Sequence, residues 1–234
     1  MVPLKNWDNK TWLSSNKYIN SFNKFILKQI KLNRYSRVLD IGCGRGKIIA
    51  NLSSKLNLHY KPIGLDIENH KDKSKKIIFK NTDALSFISK TKLKFDLILI
   101  KQTIHLFQLS EIKKILRLSK KNLTSRGKIF IFSLDINKNE IPTFKLMKNK
   151  LAKSLIRDKK IFNLIIKSNT MVIKKKFFYK VKITKKKYLN MIKNRYISTL
   201  LTFTNKELLE GLKEVNLKYK KNMMFEDKLI CLIL

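Results

Sequence analysis

The sequence of 234 residues predicts a layered α/β fold, on three observations. Short apolar, strand-like runs alternate with amphipathic, helix-like stretches, the pattern of strands and helices packed in layers. One of those runs, FDLILI at 95–100, is apolar without a break, as a central parallel strand covered on both faces requires. Three glycines stand at alternate positions in VLDIGCGRG, where a strand-like run passes into a helix-like one.

Taken in order, a helical segment over 10–31 precedes the sheet. The first strand, Arg37–Ile41, runs into the glycine turn, and Ile48, Ile49, Leu52 and Leu56 then share one helical stripe. KPIGLDI is a second strand and KKIIFKNTDAL a third, turning at Asp83. After FDLILI, Ser110 is placed to cap a helix that turns Ile112, Ile115 and Leu116 inward. Gly127 precedes a fifth strand, KIFIFSLD. From residue 137 the rhythm changes to helical material with Pro142 near its start. FFYKVKI then alternates Tyr179, Val181 and Ile183 with Lys180 and Lys182, a strand with one wet face. Helices over 185–200 and 205–215 follow, and DKLICLIL closes the chain as a buried strand. The expectation is one domain of seven strands with right-handed crossovers. Its parts are an N-terminal helical lid (1–31), a core (32–136), and a helical cap with the final strands (137–234).

Composition supports one core: 44% of residues are hydrophobic, and no linker or repeat interrupts the chain. The N-terminus lacks a secretory apolar stretch, and no run approaches the ~18 residues of a membrane helix. Cys43 and Cys231 lie in apolar segments without metal or redox spacing, which suggests buried thiols in a reducing, cytoplasmic compartment. No metal site is expected. The net charge of +37 is the one unusual number. It comes from Lys far more than Arg, in a chain also rich in Asn and Ile, and all three types have A- and T-rich codons. The lysines are scattered, with short runs at 174–176 and 185–187, so charge alone does not establish a nucleic-acid partner.

The glycine turn narrows the chemistry. Without Cβ atoms, Gly42, Gly44 and Gly46 let a ligand lie against the backbone. The dinucleotide pattern G-x-G-x-x-G fails, because its third glycine would fall on Lys47. The pattern is instead D-x-G-x-G-x-G, opening at Asp40. Asp66 ends the second strand, where a carboxylate accepts ribose hydroxyls, and Asp83 adds a third carboxylate at the same crevice. Three carboxylates suit a sulfonium ligand with an amino group, a ribose and an adenine amine better than a pyrophosphate.

In this order, VLDIGCGRG, IGLDI, NTDAL, FDLILIKQTIHLF and GKIFIF resemble the class I S-adenosylmethionine-dependent methyltransferases, over residues 36–136. The resemblance implies a Rossmann-like, seven-stranded, mostly parallel sheet with an antiparallel last strand, and S-adenosyl-L-methionine as cofactor. It implies that Gly42, Gly44 and Gly46 pass the methionine portion while Asp40 orients its amino group. Asp66 would take the ribose and Asp83 the adenine, with Ile67 and Ala84 beside them, and Lys101 and Gln102 would border the sulfonium. KQTIHLF is further similar to a segment of trans-aconitate methyltransferase-like enzymes, although Lys101 stands where many relatives carry a small or amide residue. The Asn/Asp-Pro-Pro-aromatic and Pro-Cys signatures of nucleic-acid methylation are absent. The implied acceptor is a small, anionic metabolite. An RNA or ribosomal-protein methyltransferase, or a silent cofactor-binding partner protein, stays open.

Four residues are expected around the acceptor. His105, just past the fourth strand, is placed as a general base or as packing over the cofactor. Arg195 is a scarce Arg beside the stripe Leu189, Ile192, Tyr196 and Leu200, suited to gripping a carboxylate or forming a surface ion pair. Tyr196 lies on that stripe. Trp12, with Trp7 and Tyr18, makes the N-terminal segment aromatic, as a lid or as packing. His59 and His70 look like surface loop residues.

Overall fold

In the computed structural model, which describes residues 11–135, 138 and 140–234, seven strands form one sheet. They are Val38–Ile41 (β1), Ile63–Asp66 (β2), Ile78–Asn81 (β3), Phe95–Lys101 (β4), Leu123–Leu134 (β5), Ile173–Thr184 (β6) and Asn222–Ile233 (β7). Their order is β3-β2-β1-β4-β5-β7-β6. All are parallel except β7, which pairs antiparallel with both β5 and β6. The expected class I topology is therefore present, antiparallel last strand included.

The apolar run of β4 shows why the sheet is covered twice. Leu97 and Leu99 point into one core and Ile98 and Ile100 into the other, all fully buried. Helices α1 (Asn16–Gln29) and α2 (Lys47–Leu56) cover the first face through Tyr18, Phe22, Ile26 and Ile49. Helices α3 (Ala84–Lys90) and α4 (Leu109–Lys121) cover the second through Ile88, Ile112 and Ile115. Helix α5 (Lys145–Lys167) belongs to both: Met147 and Leu151 enter the first core, Ile161, Phe162 and Ile165 the second. At 1.5 Å per residue it is long enough to cross the carboxyl edge of the sheet. Helices α6 (Lys185–Lys193) and α7 (Asn205–Lys218) complete the cap on the first face.

Three local expectations change. Strand β5 begins at Leu123 rather than after Gly127, with a register irregularity against β4 between Phe95 and Leu97. The cap of α4 is Gln108 rather than Ser110, and the Glu111 carboxylate accepts the Gln108 N–H at 2.7 Å. The helix expected over 185–200 stops at Lys193, because Arg195 turns left-handed (φ 52°). The N–H groups of Arg195 and Tyr196 donate back to the carbonyls of Ile192 and Met191. That is the Schellman ending, here with Arg where glycine is usual.

Candidate active site

The strand order reverses between β1 and β4, and the crevice at such a point is where open α/β sheets bind ligands. The glycine turn forms its floor, with left-handed φ angles of 73°, 54° and 67° at Gly42, Gly44 and Gly46. A Cβ on Gly42 would come within 2.2 Å of Thr103 Oγ1, and one on Gly46 within 2.1 Å of Ile77 Cδ1. Side chains at these points would push the turn apart. The Gly44 N–H donates to Asp66 Oδ2 at 2.8 Å and the Glu68 N–H to Oδ1 at 2.9 Å, so Asp66 stands at the turn's mouth. Next to it, Ile67 is 69% exposed, an apolar platform at the end of β2. Asp83 begins α3, its Oδ1 accepting the Ser86 N–H at 2.8 Å, and this bonding holds its carboxyl below the usual range. Ala84 behind it is buried.

Asp40 and Lys101, at the ends of β1 and β4, line one cleft with Gly42 and Gly44. Burial pushes the Asp40 carboxyl up to about 7, opposed by the Lys101 charge and reinforced by Asp66. Lys101 Nζ lies 3.0 Å from Gln102 Oε1 and over the rings of Tyr18 and Phe22, at 5.4 and 5.6 Å. Its charge also reaches Asp227, a buried carboxylate of β7. Burial raises the Asp227 carboxyl, opposed by the hydrogen bond from Trp12 Nε1 (3.0 Å) and by Lys101.

A second cavity, of about 110 Å³, lies beside the first. Gln102 and His105 bound it after β4, Ser133 and Leu134 at the end of β5, and Leu151, Leu155 and Asp158 on α5. Gln102 holds a left-handed φ of 53°, backbone strain of the kind concentrated at functional sites. Asp158 is buried and accepts the Ser133 hydroxyl at 3.0 Å. Burial raises the Asp158 carboxyl, against the pull of His105, the Ser133 bond and Arg157. Burial lowers His105, with Asp158 opposing and Arg157 reinforcing, so the imidazole is neutral at pH 7. Sequence reading missed Asp158 and Ser133. The available signal was an acid in the inward stripe of α5, between Leu151, Leu155 and Phe162, in a helix whose other charges face outward or sideways.

Other expected acceptor residues are elsewhere. The Arg195 guanidinium donates to Leu200 O (2.5 Å), Phe203 O (2.7 Å) and Asn205 Oδ1 (3.1 Å), closing its own loop rather than facing the cavity. Its sequence neighbours Ile197–Thr199 supply the cavity wall. Tyr196 is buried, its hydroxyl 2.9 Å from that of Tyr188. Trp12 packs at 5.3 Å against Tyr196 and 5.1 Å against Phe225. Both are core aromatics here, and Trp7 lies outside the described residues. His59 is exposed as expected, but His70 is buried.

The model of a methyltransferase domain matches residues 32–223. The chain belongs to that methyltransferase family. Solved structures agree in fold. A SAM-dependent methyltransferase from Archaeoglobus fulgidus is 16% identical, with 94% of this chain and 93% of that one covered, at a TM-score of 0.55. The plantazolicin methyltransferase BpumL, in complex with SAH, is 17% identical over 97% and 86%, at 0.54. A precorrin 8w decarboxylase from Methanobacterium thermoautotrophicum is 11% identical over 91% and 88%, at 0.52. No curated protein sequence matches the chain. Among the described residues no helix of this methyltransferase is long and apolar enough to cross a membrane, and no cluster of metal-ligating side chains forms.

Proposed function

We propose that this methyltransferase moves the methyl group of S-adenosyl-L-methionine to a small acceptor bearing a hydroxyl, held between β4, β5 and α5. The observation that carries the reading is that His105 and Asp158, both shifted by burial and each opposed in that shift by the other's charge, line one cavity that Gln102, the residue after Lys101 of the donor cleft, also lines. The donor cleft fits the cofactor chemically. Asp40 is a buried carboxylate for the amino group, Asp66 stands at the turn's mouth for the ribose, and Ile67 and Asp83 flank the adenine side. When bound, S-adenosylmethionine supplies a methyl group already activated on a sulfonium.

The chain's own residues then orient and deprotonate. Holding the acceptor in line behind the methyl is worth roughly 7–11 kcal/mol of barrier. Neutral His105 takes the acceptor's proton, and Asp158, anchored by Ser133, stabilises the imidazolium that forms. With Arg195 engaged in its own loop, the anionic acceptor loses its main support. The likeness of KQTIHLF to the trans-aconitate methyltransferase-like segment still favours a small molecule over RNA.

The test is methyl transfer from labelled donor to metabolite pools and to total RNA in parallel, with wild type and His105→Ala. Label should enter small molecules, and His105→Ala should lower kcat about 10²–10⁴-fold with donor affinity unchanged. Label in RNA would move the assignment to RNA methylation. An undiminished His105→Ala rate would point to a carboxylate acceptor, which needs no base.

A further inference from the structure

Among the described residues that line the acceptor cavity, Arg157 is the one Lys or Arg side chain. It neighbours Asp158 on α5, but the two differ in depth: Asp158 is 7% exposed, while Arg157 is open to solvent at the rim. Its Nη2 donates to the Phe107 carbonyl at 3.0 Å, which ties the guanidinium across the rim to the segment carrying His105. A guanidinium presents several N–H donors in a planar fork, so one backbone bond leaves the rest of the fork for a ligand. We propose that the acceptor is a hydroxy acid, its hydroxyl set against His105 and its carboxylate gripped by Arg157 at the rim. The proposal deepens the hydroxyl-acceptor reading above and rests on it.

Charge balance favours a single negative charge on the acceptor. Arg157 acts on both members of the base pair, opposing the rise of Asp158 and adding to the fall of His105. With Asp158 ionised and His105 neutral, these three side chains carry no net charge. When His105 takes the hydroxyl proton they gain one positive charge, which a carboxylate at Arg157 balances. A phosphate dianion would overshoot that balance, facing the Asp158 carboxylate with no second cation in the described lining. A bound carboxylate also offsets the hold of Arg157 on His105, so the base strengthens when such an acceptor arrives. The fork matches the two oxygens of a carboxylate, and fixes orientation as well as charge.

The experiment is labelled methyl transfer by the full chain to a metabolite pool, with the products separated by anion exchange. Labelled product should be retained at neutral pH, survive alkali as an ether, and stay retained after phosphatase treatment. In a dilution series of the pool's anionic fraction, Arg157→Gln should raise the apparent KM about 10–100-fold, with kcat changed far less. Arg157→Lys keeps the charge without the fork and should fall between. Melting temperature and calorimetric affinity for S-adenosylhomocysteine should stay near wild type in both variants, which separates acceptor binding from folding and from the donor cleft. Label in an unretained, alkali-stable product, or an unchanged KM in Arg157→Gln, overturns the proposal and leaves the hydroxyl-acceptor reading intact. Release of the product by phosphatase overturns the carboxylate in the same way. Alkali-labile label, or none in small molecules, overturns the hydroxyl-acceptor reading and this proposal with it.

Discussion

The two ends of the crevice are built from different materials. The proposed donor end is largely backbone, in its left-handed glycines and turn N–H groups, joined by the strand-end acids Asp40 and Asp66, most of it within residues 40–46. The proposed acceptor end is side chains, brought from the end of β4, β5, α5 and the turn at Ile197–Thr199. A backbone-built site depends on local conformation, which one short motif can specify. A side-chain site depends on how distant elements cross, and here on a single helix passing over the sheet edge. The difference explains why the two ends should fail differently under mutation.

The largest expected effect concerns Asp40, and it is read through pH. Its carboxyl is pushed up to about 7, so below that value it is protonated and cannot pair with a cationic amino group. Donor affinity should therefore improve about tenfold per pH unit as pH rises toward 7 and level off above it. Stability runs the other way. The folded chain keeps a proton that the unfolded chain releases above its own pKa near 4, so folding loses about 1.4 kcal/mol per pH unit between about 4 and 7. Asp40→Asn should flatten both profiles: more stable than wild type at pH 8 without ligand, equal to it below pH 4, and poor in donor binding throughout. Titration calorimetry and thermal melts across pH check this, and a pH-independent wild-type affinity would remove Asp40 from the site.

Next in size is Asp66→Ala, which removes the acceptor of the Gly44 and Glu68 N–H groups as well as the proposed ribose contact. Each charged hydrogen bond lost should cost about 1.5–3 kcal/mol of donor binding. Unchanged affinity would mean that the turn is held by its backbone bonds to β2 alone. The smallest effect on catalysis is expected at Arg195. Arg195→Lys loses the fork that spans Leu200 O, Phe203 O and Asn205, so the melting temperature should fall by a few degrees, for about 1 kcal/mol lost. Acceptor KM should hardly move. A large rise in KM at constant stability would return Arg195 to the pocket and erase the contrast between the two ends.

By itself the sequence determined the strand count, the glycine turn, the carboxylates at the strand ends and the placement of His105 just past β4. Each follows from a local period or a local backbone need, and local needs survive in any correctly layered fold. Tertiary structure alone decided the partners. Asp158 faces His105 only because α5 changes cores halfway along its length. Trp12 and Tyr196 become packing because the start of the described chain lies against β7 and the cap, where Asp227 accepts the indole N–H. Arg195 turns away from the cavity because its residue ends a helix in a left-handed turn, which points the guanidinium at the following loop's carbonyls. The Lys101 charge acts on Asp40 and Asp227 at once, since β7 inserts between β5 and β6 and carries Asp227 to the carboxyl edge. Contacts of this kind depend on the packing of elements far apart in the chain, which local periodicity does not encode.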